Sequence, residues 1–115
     1  MNIIKKSDFI ESIATALQYI SYYHSEDFIL AMKRAYELEE SAPAKDAILQ
    51  ILSSSKLSAY GKRPLCQDTG IITVFVKQGM DVQWESSLTL EEMVNEGVRR
   101  AFLDVLNPLR ASIVE

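Results

Sequence analysis

Between Ser7 and Tyr60 the apolar side chains recur every three or four residues, a spacing that an α-helix gathers onto one face. Three amphipathic segments follow. In the first, from Ser7 to about Tyr23, Phe9, Ile10, Ile13, Leu17, Ile20 and Tyr23 form one stripe. Ser7 is placed to cap its N-terminus, and Asp8 and Glu11 suit the positive end of the helix dipole. Ser25 caps the second, with Glu26 and Asp27 in its first turn and Phe28, Ile29, Met32, Ala35, Tyr36 and Leu38 on its buried side. The third starts at Ser41 with Pro43 in the first turn, where a missing N–H costs nothing. Ala47, Ile48, Ile51 and Leu52 face inward, and Gly61 followed by Pro64 marks the end.

The pattern then changes. Ile71–Val76 is a β-branched and aromatic run of strand length, apolar on both faces, so other structure should cover each side. Lys77–Met80 reads as a turn and Asp81–Trp84 as a second short strand. Thr89 opens a last helix, and Glu92 three residues on completes a capping box. Leu90, Met93, Val94, Val98, Ala101, Phe102 and Val105 supply its apolar stripe, and Asn107-Pro108 ends it. Gly97 inside that helix costs about 1 kcal/mol relative to alanine, which a close helix contact would explain. Ala111–Glu115 carries no stop signal and reads as the entry to another strand or loop. The expected fold is α+β and helix-dominated: three N-terminal helices, a short central β segment and a further helix, as a fragment of a larger domain.

Composition narrows the class. At 115 residues the chain is one domain, and 48% hydrophobic with 24% charged residues is the profile of a folded globular protein. A net charge of −4 and a pI near 5.0 argue against a nucleic-acid partner. No apolar run reaches the ~18–20 residues of a membrane span, and the N-terminus lacks the apolar stretch of a secretory signal. One cysteine forms no internal disulfide, and the expected compartment is the reducing cytoplasm.

The chemistry-bearing residues cluster in Arg63–Gly70, between the third helix and the apolar run. This stretch holds Cys66, Gln67, Asp68 and Thr69. A thiolate there can ligate a soft metal or an iron–sulfur cluster, with Gln67 and Asp68 addressing a substrate beside it. The plainer reading keeps Cys66 as a small buried hydrophobe and Asp68-Thr69-Gly70 as an ordinary turn. One cysteine is too few for a cluster, which takes three or four thiolates, and His24 is the only imidazole. Either Cys66 is structural or the other ligands come from outside this chain. Arg110, just after the last helix, is placed to offer its planar fork to a carboxylate, against the plainer reading of an exposed arginine. Arg99 and Arg100 read as heads in water, and Glu91 and Glu92 as a solvated face.

Arg63–Gly70 followed by Ile71–Lys77 resembles the N-terminal region of class I, iron–sulfur fumarate hydratases. Asn95–Ala101, Asn107–Ser112 and Ser41–Ala47 are similar to the same family, in order along nearly the whole chain. The alpha subunit of L-tartrate dehydratase is a close relative. The resemblance implies a hydro-lyase that interconverts fumarate and L-malate, a tricarboxylic acid cycle reaction, on a 4Fe–4S cluster held by three cysteines with one iron open to substrate. Cys66 matches the first ligand, and the two further cysteines are expected outside this chain. Gln67 and Asp68 match positions that contact the dicarboxylate substrate, Asp68 also as a catalytic acid or base, and Arg110 matches an arginine that holds a carboxylate. It further implies that residues 1–115 are the N-terminal (alpha) portion of such an enzyme and are inactive in isolation. The partners are the remainder of the enzyme or a second subunit, and the complete enzyme is a homodimer. The alternatives are the alpha portion of a tartrate dehydratase, or a non-catalytic scaffold that keeps the fold.

Overall fold

The computed structural model describes residues 2–66 and 71–104, together with Leu106 and Leu109. The elements run β1 (Asn2–Lys5), α1 (Lys6–Tyr22), α2 (Glu26–Leu38), α3 (Ala42–Gly61), β2 (Val82–Glu85) and α4 (Leu90–Phe102). The helix-dominated α+β expectation holds. The chain divides into two compact units, Met1–Gln18 with Gln67–Glu115, and Tyr19–Cys66.

In the first unit, β1 pairs in parallel with β2, Asn2 opposite Val82 and Lys5 opposite Glu85. The Asn2 N–H donates to the Asp81 carbonyl at 3.1 Å, which sets this register. β2 is the short strand expected at Asp81–Trp84, displaced by one residue. Because β1 runs directly into α1, Ser7 lies inside the first turn rather than capping it. Phe9 on α1 meets the Trp84 ring edge-on at 5.0 Å between centroids, and the Trp84 indole N–H donates to the Gln78 amide oxygen at 3.1 Å.

The core of this unit is made by α1 and α4. Ile10, Leu17, Met93, Ala101 and Leu109 are buried, with Ile13, Ala14, Ile72, Val98 and Phe102 packed against the Leu17–Ala101–Leu109 cluster. α4 opens on the expected capping box. The Thr89 hydroxyl accepts from the Glu92 N–H at 3.2 Å, and the Thr89 N–H donates to the Glu92 carboxylate at 2.9 Å. The helix stops at Phe102, ahead of the Asn107-Pro108 end read from sequence. The Asp104 carboxylate accepts the Leu106 N–H at 2.9 Å, a local turn that competes with another helical turn. Val105, Asn107 and Pro108 lie outside the described residues, as do Ala111–Glu115.

The strand expected at Ile71–Val76 is not formed. The segment has no regular secondary structure, and no strand among the described residues bonds to it. Residue type favours β, but a strand exists only when a neighbour takes its backbone groups.

In the second unit, α2 and α3 pack together, and the Lys45 ammonium sits 4.8 Å from the centre of the Tyr36 ring. The face of α3 matches expectation in part: Ile48 and Leu52 are half-buried, Ala47 and Ile51 are exposed, and the buried residues are Ser55 and Ser58. The buried Ser55 hydroxyl lies within hydrogen-bond distance of His24 Nδ1. On α2 Phe28, Ile29, Met32, Ala35 and Tyr36 are only half-buried and Leu38 is exposed, as is Ile20 at the end of α1. No helix among the described residues is long and apolar enough to cross a membrane.

Candidate functional site

The segment that presents Cys66 is held at two points. α3 ends at Gly61, as the sequence suggests, and is capped by a left-handed residue, Lys62 with φ of 50°. The N–H groups of Lys62 and Arg63 both donate to the Ser58 carbonyl, the latter at 3.1 Å. This turn satisfies a carbonyl that the last helical turn leaves open and throws the chain off the helix axis. Three residues on, the Leu65 N–H donates to the Ser21 carbonyl at 2.7 Å, fastening the loop to the end of α1. Cys66 follows immediately, and it is exposed. The plainer reading of Cys66 as a buried core thiol is therefore overturned.

Gln67 and Asp68 lie outside the described residues, and so does Arg110. Leu109, which precedes Arg110 in the chain, is buried against Leu17 and Ala101.

The donor set bears on an iron–sulfur group. Among the described residues no three His, Cys, Asp or Glu side chains are grouped to hold a metal ion. The chain contains one cysteine, and a cluster needs three or four thiolates. Alone, the chain does not fit a cluster. Cys66 is nonetheless suited to be one ligand: it is soft, exposed, and carried on a backbone pinned by the Lys62 turn and the Leu65–Ser21 bond.

Two arrangements escaped the sequence reading. On α4 the Glu96 carboxylate accepts two bonds from the Arg99 guanidinium, at 2.7 and 2.8 Å, and one from Arg100 Nε at 2.9 Å. Both arginine side chains are half or more exposed, as expected, and both pair with Glu96 at the surface. These bonds, Arg99 first, lower the Glu96 carboxyl from an ordinary 4.5 to about 2. The i,i+3 and i,i+4 spacings were the available signal. In the second unit, a cavity of about 420 Å³ is lined by residues of α2 and α3 and by His24, with Lys33 and Lys56 on its wall. His24 Nδ1 and Ser55 Oγ are 2.8 Å apart, and the imidazole stacks on Phe28 at 4.2 Å. His24 therefore serves as a packed, hydrogen-bonded residue of this unit.

A small helical chain with a short parallel β pair presents one exposed cysteine from a pinned loop. Its sequence matches the fumarate hydratase (Fumerase) family over residues 10–115, and the chain belongs to that family. A Methanocaldococcus jannaschii protein provisionally named L(+)-tartrate dehydratase subunit alpha is 35% identical over 92 residues. That match covers 80% of this chain and 32% of the relative, so the chain spans about a third of the length of the curated relative.

Proposed function

We propose that this chain is the N-terminal, alpha portion of an iron–sulfur hydro-lyase of the class I fumarate hydratase type, which interconverts fumarate and L-malate. The observation that carries the reading is the family match over residues 10–115, within which the one cysteine stands exposed at the end of a pinned loop. Cys66 supplies one thiolate to a 4Fe–4S cluster, and two further cysteines come from polypeptide outside these 115 residues.

The chain's other residues act on the dicarboxylate. Arg110 offers two parallel N–H donors to a substrate carboxylate, the geometry in which arginine outperforms lysine. Gln67 donates from its amide. Charge developing on the carboxylate next to the reacting carbon is stabilised by such preorganised donors. Asp68 holds or moves a proton, or orients the group that does. The complete enzyme works in the cytoplasm as a homodimer of assembled alpha portions and their complements. The 115 residues alone, with one thiolate, are inactive.

The 35% identity to the tartrate dehydratase relative favours L-tartrate as the second candidate substrate. Anaerobic iron–sulfide reconstitution of the native assembly, followed by assays on fumarate and L-tartrate, separates the two. Cys66→Ser replaces a soft thiolate with a hard hydroxyl, and iron and activity fall together. Asp68→Asn keeps the iron while turnover drops by roughly 10²–10⁴-fold, the contribution of a general acid or base. A full cluster in Cys66→Ser, or no activity on either substrate in a reconstituted assembly, refutes the reading.

A further inference from the structure

The segment Ile71–Val76 has the composition of a strand and none of its bonds. Among the described residues, no hydrogen bond reaches the backbone N–H or C=O groups of residues 71–78; the first to be used is the Gly79 carbonyl, which accepts from the Val82 N–H at 3.3 Å. A row of backbone groups open to solvent along a run of β-forming residues is a template for a further strand.

The side chains alternate as they would in a sheet. Ile72 packs on the Leu17–Ala101–Leu109 core, and Val74 and Val76 are 36% and 43% exposed. On the opposite parity Ile71 is 95% exposed and Phe75 92%. Ile72 thus lies against its own unit, Val74 and Val76 are partly covered, and Ile71 and Phe75 are bare. An isoleucine and a phenylalanine left almost wholly exposed four residues apart are the kind of bare apolar surface that marks a contact. The missing ladder bonds and the bare face are separate observations, and both call for a neighbouring polypeptide.

We propose that Ile71–Val76 is the docking edge for a β-strand from the polypeptide that completes the enzyme, with an apolar layer from the same polypeptide over Ile71 and Phe75. The identity of this occupant rests on the hydro-lyase reading. More than two thirds of the curated relative's length lies outside its match to this chain, so a family member holds ample polypeptide to supply the strand. A second copy of the chain fits less well. Ile71 is five residues along the chain from Cys66, and the polypeptide that completes the enzyme has to carry the thiolates this chain lacks. Two copies contain two cysteines between them, short of the three that a cluster requires. Strand addition to an open edge draws affinity from main-chain bonds and specificity from alternate side chains, and both are on offer here.

The test uses the native assembly, with a photoreactive benzophenone amino acid at position 75 and amide hydrogen exchange read over residues 71–78. The expected crosslink falls on an extended segment of a polypeptide outside these 115 residues. The amides of 71–78 exchange at least about tenfold more slowly than an unstructured peptide, as ladder-bonded amides do. Thr73→Pro, which removes one N–H, abolishes that protection while the α4 amides stay protected. Exchange at unstructured-peptide rates, or a crosslink to the same segment of a second copy, overturns the proposal. Iron content and hydro-lyase activity are measured on the same sample. Protected amides with the expected crosslink but no iron and no activity leave the docking edge standing and remove the hydro-lyase reading. Full activity with unprotected amides does the reverse.

Discussion

A Cβ built on Gly97 stands 2.6 Å from the Cβ of Ile13 and 3.0 Å from the Ile10 carbonyl oxygen. The α1–α4 contact is therefore backbone against side chain, and only glycine permits it. Gly97→Ala gains about 1 kcal/mol in helix propensity. It meets an atom fixed directly to the α1 backbone, however, and overpacking of this kind costs about 1–3 kcal/mol. The expected outcome is net destabilisation, seen as a lower urea midpoint. Gly79→Ala, with nothing within 4 Å, serves as the control and shifts the midpoint little. A more stable Gly97→Ala protein would show that the helices can separate without loss.

Thr89→Ala removes the hydroxyl that accepts from the Glu92 N–H and leaves one donor of the first turn of α4 without its partner. Losses of such caps run about 0.5–2 kcal/mol. Thr89→Ser retains the oxygen and should recover most of the difference. The two midpoints, compared with wild type, separate loss of the cap from any effect of altered packing.

These two features were legible because each is local. The Thr89–Glu92 box is four residues of sequence, and a glycine inside an apolar stripe asks for a close neighbour. β1 was not legible: Asn2–Lys5 is four residues long, and its partner begins at Val82. Parallel pairing across that separation leaves no local mark. Ile71–Val76 misled in the opposite way, since residue type promised a strand whose partner is not among the described residues. At the site, the motif around Cys66 was visible, but what exposes the thiol was not. The segment is held by a local cap at Lys62, with φ of 50°, and by the bond from Leu65 to Ser21, a long-range contact that the sequence does not show. On α3 Ile48 and Leu52 do turn inward, but Ser55 and Ser58 were passed over because the periodicity is read from apolar residues alone.

Glu96 gives a pH dependence with a defined sign. Its carboxyl is lowered from 4.5 to about 2 by the bonds from Arg99 and Arg100. A group depressed in the folded state contributes stability above its ordinary value and loses it as pH falls toward the folded value. The contribution is therefore intact above pH 4.5 and disappears as pH drops to about 2. The group is at the surface, so salt screens the effect. NMR titration of the Glu96 side-chain carboxyl should give a midpoint near 2. Arg99→Gln should move it upward more than Arg100→Gln does, because the Arg99 bonds are the larger cause. An unchanged midpoint in Arg99→Gln would break the assignment.

Ser55 is 7% exposed and faces His24 Nδ1 at 2.8 Å. Ser55→Ala leaves that ring nitrogen against a methyl group. An unsatisfied buried partner costs about 1–3 kcal/mol, with the lower end expected because His24 is only half-buried. His24→Phe keeps the stacking on Phe28 but removes the same bond from the other side. If the bond carries the cost, the double variant loses less than the sum of the single variants. Additive losses would mean that packing, not the bond, holds this corner.

Leu109 and Arg110 are consecutive and should fail in different ways. Leu109 is 8% exposed and belongs to the cluster with Leu17 and Ala101. Leu109→Ala leaves a cavity there, and core truncations of this type cost about 2–5 kcal/mol. Folded protein is lost, while the protein that remains folded binds substrate normally. Arg110→Ala is expected to do the converse in the native assembly. Thermal stability should stay close to wild type if Arg110 serves the substrate rather than the core. On the proposed role, KM for the dicarboxylate should rise and kcat/KM fall, as expected for loss of a bidentate carboxylate partner. Arg110→Lys should rescue only part of the loss, since an ammonium restores the charge without the planar fork. The measurements are KM, kcat and melting temperature on all three variants. Wild-type kinetics in Arg110→Ala would return that residue to the ordinary surface. A fall in melting temperature matching that of Leu109→Ala would assign it to the core alongside its neighbour.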